Sequence, residues 1–173
     1  AKGLLIASIN DPNPVMFLEH KKLYRKPDLK MEVPIGLYEV EIGKANIVKE
    51  GSDVTLVAWS GMVPTALEAA ATLNNDDISV EVIDLRSIFP IDEETILKSV
   101  EKTSNLVILQ EDVPFSSIAS EISSFVADKG FWTLDNPILK VTSPNTHIPF
   151  APVLEDNFIP STENVVKAIK ELQ

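Results

Sequence analysis

The sequence predicts an α/β fold: a three-layer α/β/α sandwich around a sheet of about five strands, mostly parallel with one antiparallel strand. Two observations predict it. From Lys44 onward short apolar runs alternate with longer helical stretches, the pattern of right-handed βαβ crossovers. The chain also has 173 residues, 45% hydrophobic and 24% charged, a composition that builds one packed core plus a connecting segment.

The elements follow in order. Lys2 to Ile9 has helical apolar positions and is closed by the turn-forming run Asn10-Asp11-Pro12-Asn13-Pro14. Val15-Met16-Phe17-Leu18 is short and apolar and predicts a buried strand. Lys21 to Gly43 opens with basic residues, then carries Pro27, Pro34 and Gly36 with no sustained period, which predicts a linker. Residues 27–43 are its body, between units at 1–26 and 44–173. Ala45 to Lys49 alternates, Glu50-Gly51-Ser52-Asp53 is turn-rich, and Val54 to Trp59 is apolar; together they predict an antiparallel hairpin. Val63 to Leu73 is an Ala- and Leu-rich helix with Pro64 in its first turn. Three strand–helix pairs follow. They are Val80–Leu85 with Glu93–Lys102 (Asp92 as N-cap), Leu106–Leu109 with Ile118–Asp128, and Ile138–Thr142 with Thr162–Leu172.

Charge and cysteine usage exclude some functions. The net charge of -11, from 26 acidic and 15 basic residues, repels phosphate backbones, so nucleic acid is not an expected partner and basic proteins are. No apolar stretch is long enough to cross a membrane, so no membrane partner is expected either. With no cysteine, thiolate metal sites and cysteine nucleophiles are excluded. The amino terminus lacks a signal-peptide layout and starts in mid-pattern without Met, which reads as the start of a fragment.

Chemistry-bearing motifs are scarce. Glycine signatures for dinucleotides, the P-loop and the hydrolase elbow are absent. His20 and His147 are far apart in sequence; a structural hydrogen bond is the expected role of the first, partial exposure in a proline-bracketed loop that of the second. Asp84, at a strand end among Ile83 and Leu85, needs a partner, and Arg86 supplies one if the chain bends there. No catalytic or cofactor-binding residue is assigned.

Asp11-Pro12-Asn13-Pro14, Phe17-Leu18-Glu19-His20, Leu23-Tyr24-Arg25, Gly51 to Trp59 and Glu81-Val82-Ile83-Asp84-Leu85-Arg86 resemble a known family. It comprises the E1 β subunits of thiamine-diphosphate-dependent 2-oxo acid dehydrogenases, with the branched-chain (2-oxoisovalerate) enzyme most similar. The resemblance covers essentially the whole chain. It implies that 44–173 is a transketolase-type carboxyl-terminal domain and that 1–26 is the tail of a pyrimidine-binding domain. It implies oxidative decarboxylation of a 2-oxo acid with acyl transfer to lipoamide by the parent enzyme, the fragment alone being inactive. Thiamine diphosphate and Mg would be bound by the parent rather than by this fragment. Expected partners are an E1 α subunit or α portion, a second β chain, and the basic peripheral subunit-binding domain of E2. The location would be the bacterial cytoplasm or, in a eukaryote, the mitochondrial matrix.

By position in the family, Ser8, Asp11 and Asn13 fall where a structural potassium ion is held, and Asp135 and Gln173 where E2 docks. An Asp-Pro-Asn turn that only turns the chain is an equal reading of the first set. Two other readings of the whole stay open: the equivalent domain of a transketolase or deoxyxylulose-phosphate synthase, and a stand-alone binding module.

Overall fold

The computed structural model describes residues 1–30 and 32–172. Helix α1 spans Lys2–Asn10, and two single 3-10 turns at Lys21–Arg25 and Pro27–Leu29 interrupt an otherwise irregular linker. The sheet contains β1 (Asn46–Lys49), β2 (Val54–Ala58), β3 (Val80–Asp84), β4 (Leu106–Leu109) and β5 (Leu139–Val141), in the order β1-β3-β2-β4-β5. Only β1 runs antiparallel, along β3; every other pairing is parallel. The helices of the domain are α2 (Met62–Leu73), α3 (Glu93–Thr103), α4 (Ile118–Lys129), α5 (Pro152–Phe158) and α6 (Thr162–Lys170).

The side-chain period of two divides the core between the sheet's faces. Val54, Leu56, Val82, Val107 and Leu109 pack with Ala66 and Leu73 of α2 and Val165 and Ile169 of α6. Val57, Ile83, Leu106 and Ile108 face the other way, onto Ile96 and Val100 of α3 and Ile122 and Val126 of α4. The three-layer sandwich is therefore the observed architecture.

Three expectations need correction. The first two strands form no hairpin: β1 pairs with β3, and β2 sits between β3 and β4. Burial explains why. All five β2 residues are buried, as befits a strand with helices on both faces, whereas β1 is half exposed and suits an edge. Glu50-Gly51-Ser52-Asp53 is a crossover, not a hairpin turn. Ser52 and Asp53 N–H donate to Ser79 O, and Asp53 Oδ2 accepts from Ser79 N at 2.7 Å, so the tetrad passes over the start of β3. Val15–Leu18 is no strand; it is extended without a ladder, and Met16 and Leu18 are exposed. Helix α5 had no sequence forecast, because it is short and begins at a proline within a loop-like stretch.

Asp92 caps α3 as expected and does more. Its carboxylate accepts from Thr95 N (3.2 Å), Thr95 Oγ1 (2.8 Å) and Ala45 N (3.0 Å), joining the helix start to the approach to β1. Burial opposes its charge, but these donors outweigh burial and hold the carboxyl below the usual range. Asp92→Ala is expected to cost about 2 kcal/mol. Because the folded pKa is depressed, that stability is present above the unfolded value of about 4 and is lost as pH falls through the folded one. Urea unfolding of both proteins at pH 7 and pH 3 checks this: the gap should narrow in acid.

Candidate functional site: a docking edge and a linker crevice

Two regions gather functional side chains. The first follows α4, where the chain returns along α3 to enter β5. Gly130 lies against Leu97 of α3, and Asp135 N donates to Ser104 O at 2.9 Å. The next residue, Asn136, donates through Nδ2 to Asn105 Oδ1 (2.9 Å) and to Leu172 O (3.2 Å). These bonds fix the backbone around Asp135 while its carboxylate stays exposed, with no ion pair among the described residues. Leu172 is thereby held beside Asn136. Gln173 lies outside the described residues.

The second region is the crevice beyond the carboxyl ends of β2 and β4. These neighbours leave in opposite directions across the sheet, which makes a topological switch point, the usual ligand location in open α/β sheets. The crevice holds about 240 Å³ and is lined by Gly61, Thr65, Glu111 and Ser161, with His20 and Lys22 from the linker. His20 Nε2 meets Glu111 Oε2 at 3.0 Å, and Lys22 Nζ meets Glu155 Oε1 of α5 at 2.9 Å. Gly61 is needed for this approach, since a Cβ there would stand 2.8 Å from His20 Nε2. His20 thus makes the structural hydrogen bond expected of it, but its Nδ1 is buried without a partner. Glu111 gave no advance sign in the sequence, for its pairing depends on a contact across 91 residues. His147 is exposed in the loop after β5.

The other predicted residues are dispersed. Ser8 Oγ donates back to Leu4 O at 2.7 Å inside α1. Asp11 Oδ1 accepts from Asn13 N (2.8 Å) and Asn13 Nδ2 (3.0 Å), a local Asx turn. The Ser8 hydroxyl is therefore committed to its own helix. Main-chain oxygens at the end of α1 and Asp11 Oδ2 are what this turn can offer a hard cation, at the negative end of the helix dipole. Among the described residues no group of three or more His, Asp or Glu side chains is arranged to hold a metal.

Asp84 ends β3, where the chain bends as expected: Arg86 has φ 57°, and its N–H donates to Asp84 Oδ1 at 3.2 Å. The guanidinium Nε stands 4.0 Å from Oδ2. Burial pushes the Asp84 carboxyl up, and Arg86 counters only part of this. The clasp is structural in form.

A fully buried carboxylate went unforeseen. Glu81, in mid-β3, accepts from Ser99 Oγ at 2.5 Å and pairs with Lys102 Nζ. Thr55 Oγ1 lies 2.6 Å from Ser99 Oγ and 2.7 Å from Thr103 Oγ1, which completes a buried polar network under α3.

A model of the transketolase carboxyl-terminal domain matches residues 43–165. The chain belongs to the transketolase C-terminal domain family. Its sheet and surrounding helices are those of that domain in a split-gene transketolase solved as an inactive β4 tetramer. The likeness has a TM-score of 0.69 and 28% identity, covering 78% of this chain and 43% of the other. Among curated relatives, the acetoin:2,6-dichlorophenolindophenol oxidoreductase β subunit of Bacillus subtilis is 49% identical over 172 residues, 99% of this chain and 49% of the relative. The pyruvate dehydrogenase E1 β subunit of the same organism is 40% identical over 172 residues, covering 99% of this chain and 52% of that one. Its 2-oxoisovalerate dehydrogenase β subunit is 39% identical over 173 residues, again 99% and 52%. The branched-chain relative is thus present, at lower identity than the acetoin relative. The chain spans about half the length of the curated relatives it matches. Among the described residues no helix is long and apolar enough to cross a membrane.

Proposed function

We propose that this domain is the carboxyl-terminal half of an E1 β-type subunit and serves assembly and docking within a thiamine-diphosphate-dependent 2-oxo acid dehydrogenase. The observation that carries it is identity to E1 β-type subunits along essentially the entire chain, 40% over 172 residues to a pyruvate dehydrogenase β subunit. The cofactor and its magnesium would be held by the rest of the parent enzyme and its α partner. Exposed Phe89, Phe115 and Phe150, on loops following β3, β4 and β5, provide apolar surface for α or for a second β chain. The end of α1 would hold potassium through main-chain oxygens of Ser8, Asp11 and Asn13 rather than through the Ser8 hydroxyl. The bacterial cytoplasm, or a mitochondrial matrix, is the setting that fits this role.

Docking would use Asp135, and Gln173 by sequence position, against the basic peripheral subunit-binding domain of E2. Exposed acid on a fixed backbone supports this, since it attracts cations without an ordering cost. In the complete α/β enzyme, Asp135→Asn should weaken binding of that E2 domain several-fold and flatten its salt dependence. An unchanged salt slope would sink the docking reading.

A second reading concerns substrate. Identities of 49% and 46% to two acetoin:2,6-dichlorophenolindophenol oxidoreductase β subunits favour an enzyme that oxidises acetoin. Purified α/β enzyme assayed with pyruvate, 2-oxoisovalerate and acetoin, with 2,6-dichlorophenolindophenol as acceptor, separates the two. Turnover of acetoin alone overturns the 2-oxo acid reading; turnover of none overturns both.

A further inference from the structure

Beside Asp135 stands an aromatic pair that the core does not use. Trp132 is 94% exposed and Phe131 57%, on the single 3-10 turn Phe131–Thr133 that follows α4. Their rings meet edge to face at 5.1 Å and 85°, so Phe131 props the indole instead of letting it lie flat on the protein. The turn is rigid. Thr133 N and Oγ1 both donate to Gly130 O (3.0 and 2.7 Å), and Leu134 N donates to Phe131 O (3.3 Å). An exposed, fixed tryptophan is costly to keep in water and is the side chain most enriched at binding hot spots.

Its surroundings define the chemistry of what it meets. The segment from Gly130 to Asp135 is pinned at Leu97 of α3 and at Ser104, the residue that ends α3, and Glu101 lies one helical turn beyond Leu97. Glu101, Asp128 and Asp135 are all exposed and have no ion pair among the described residues. The nearby cations are already engaged: Lys129 with Glu93, and Lys102 with Glu81 and Glu50. A bare indole within an unneutralised acidic rim suits a planar cation that can stack on the ring while neighbouring charges are met by carboxylate. Guanidinium fits better than ammonium, being flat and weakly hydrated.

We propose that Trp132 is the aromatic anchor of the docking surface, receiving an arginine of the basic partner on its indole while Asp135 and Glu101 meet adjacent cations. This rests on the docking reading above and adds to it a residue, a ligand group and a division of labour. The acids set approach and salt dependence; the indole sets residence.

The test uses the complete α/β enzyme and the E2 peripheral subunit-binding domain as probe, with affinity measured across a salt series. Trp132→Ala should weaken binding about tenfold with the salt slope unchanged, and Trp132→Phe should recover most of the loss. With so exposed a side chain, thermal unfolding should not move. In complete enzyme labelled with 5-fluorotryptophan, the fluorine resonance that Trp132→Phe removes should shift when the domain binds. If Asp135→Asn weakens binding while Trp132→Ala stays within twofold and that resonance is unmoved, the anchor is overturned and docking stands. If neither variant changes binding, docking itself falls and the anchor with it.

Discussion

Replacing Lys102 with alanine is expected to lower unfolding free energy by about 3 kcal/mol, because it strands the Glu81 carboxylate in the interior. Glu81 is fully buried, at mid-strand in β3, and Lys102 reaches it from α3 alongside the Ser99 hydroxyl and Gly51 N–H. The Lys102 side chain is 43% exposed, so water can partly replace it, and the low end of the range for breaking a buried pair applies. Burial opposes the charge on Glu81, yet Lys102 and Ser99 together hold its carboxyl below the usual range. A depressed folded pKa contributes stability above the unfolded value of about 4.3 that disappears as pH falls through the folded one. The difference between Lys102→Ala and the parent should therefore be full at pH 7 and shrink below about pH 4. Glu81→Gln added to Lys102→Ala should restore much of the loss, since an uncharged amide can accept from Gly51 N–H and donate to Ser99 Oγ. Urea midpoints for the three proteins decide the matter; an equal loss at pH 7 and pH 3 would show that packing of the lysine stem, not the buried charge, sets the cost.

Which features the sequence revealed follows from how local their causes are. Asp92 caps α3 within one turn of itself and was readable; Ser117 and Ser161 cap α4 and α6 just as locally but were not read as caps. The βαβ alternation likewise fixed the layers. Strand order was not readable for the first two strands, because which neighbour β1 takes depends on burial across the whole sheet. Val15–Leu18 has a strand's composition but no ladder partner among the described residues. Glu81 was hidden by its own strand: Val80-Glu81-Val82 reads as an alternation with glutamate facing water. Only the third dimension shows Ser99 and Lys102 waiting for it. The same limit applies to the candidate site. Asp135 was singled out by its position in the resemblance and not by local chemistry, whereas His20 and Glu111 meet only after the fold has formed.

The linker is fastened to α1 as well as to the domain. Val40 N donates to Gly3 O at 3.2 Å, Lys2 Nζ lies 5.3 Å from the Tyr38 ring centroid and donates to Pro34 O at 2.7 Å, and Asn10 Nδ2 meets Glu39 Oε1 at 2.5 Å. Segment 34–40 therefore packs along α1, while His20 and Lys22 reach the carboxyl ends of the sheet. Such double fastening holds α1 and the domain in one relation.

Gly51→Ala is expected to cost about 3 kcal/mol or more and to loosen β1 selectively. The reason lies in the crossover. Strand β1 runs antiparallel to β3, and β2 lies on the other side of β3, so the connection must span two strand spacings, roughly 9.5 Å. Four residues can do so only by lying directly on the β3 backbone. A Cβ at position 51 would stand 2.2 Å from Val80 C and Glu81 N, far inside contact distance, and those atoms belong to a sheet interior that cannot yield. Gly51 has no left-handed backbone requirement, so the cost is contact alone. Gly36 makes the matched control: it has φ +92° with nothing near its Cβ position, and Gly36→Ala should cost only about 1 kcal/mol of backbone strain. Amide hydrogen exchange separates local from global effects. Ile47 and Lys49 should lose protection in Gly51→Ala well before Leu56 and Val57, because β1 must detach for the crossover to rise. A variant that keeps parental stability and β1 protection would mean that the tetrad does not pass over β3, and the two strands would then be the hairpin arms that their sequence resembles.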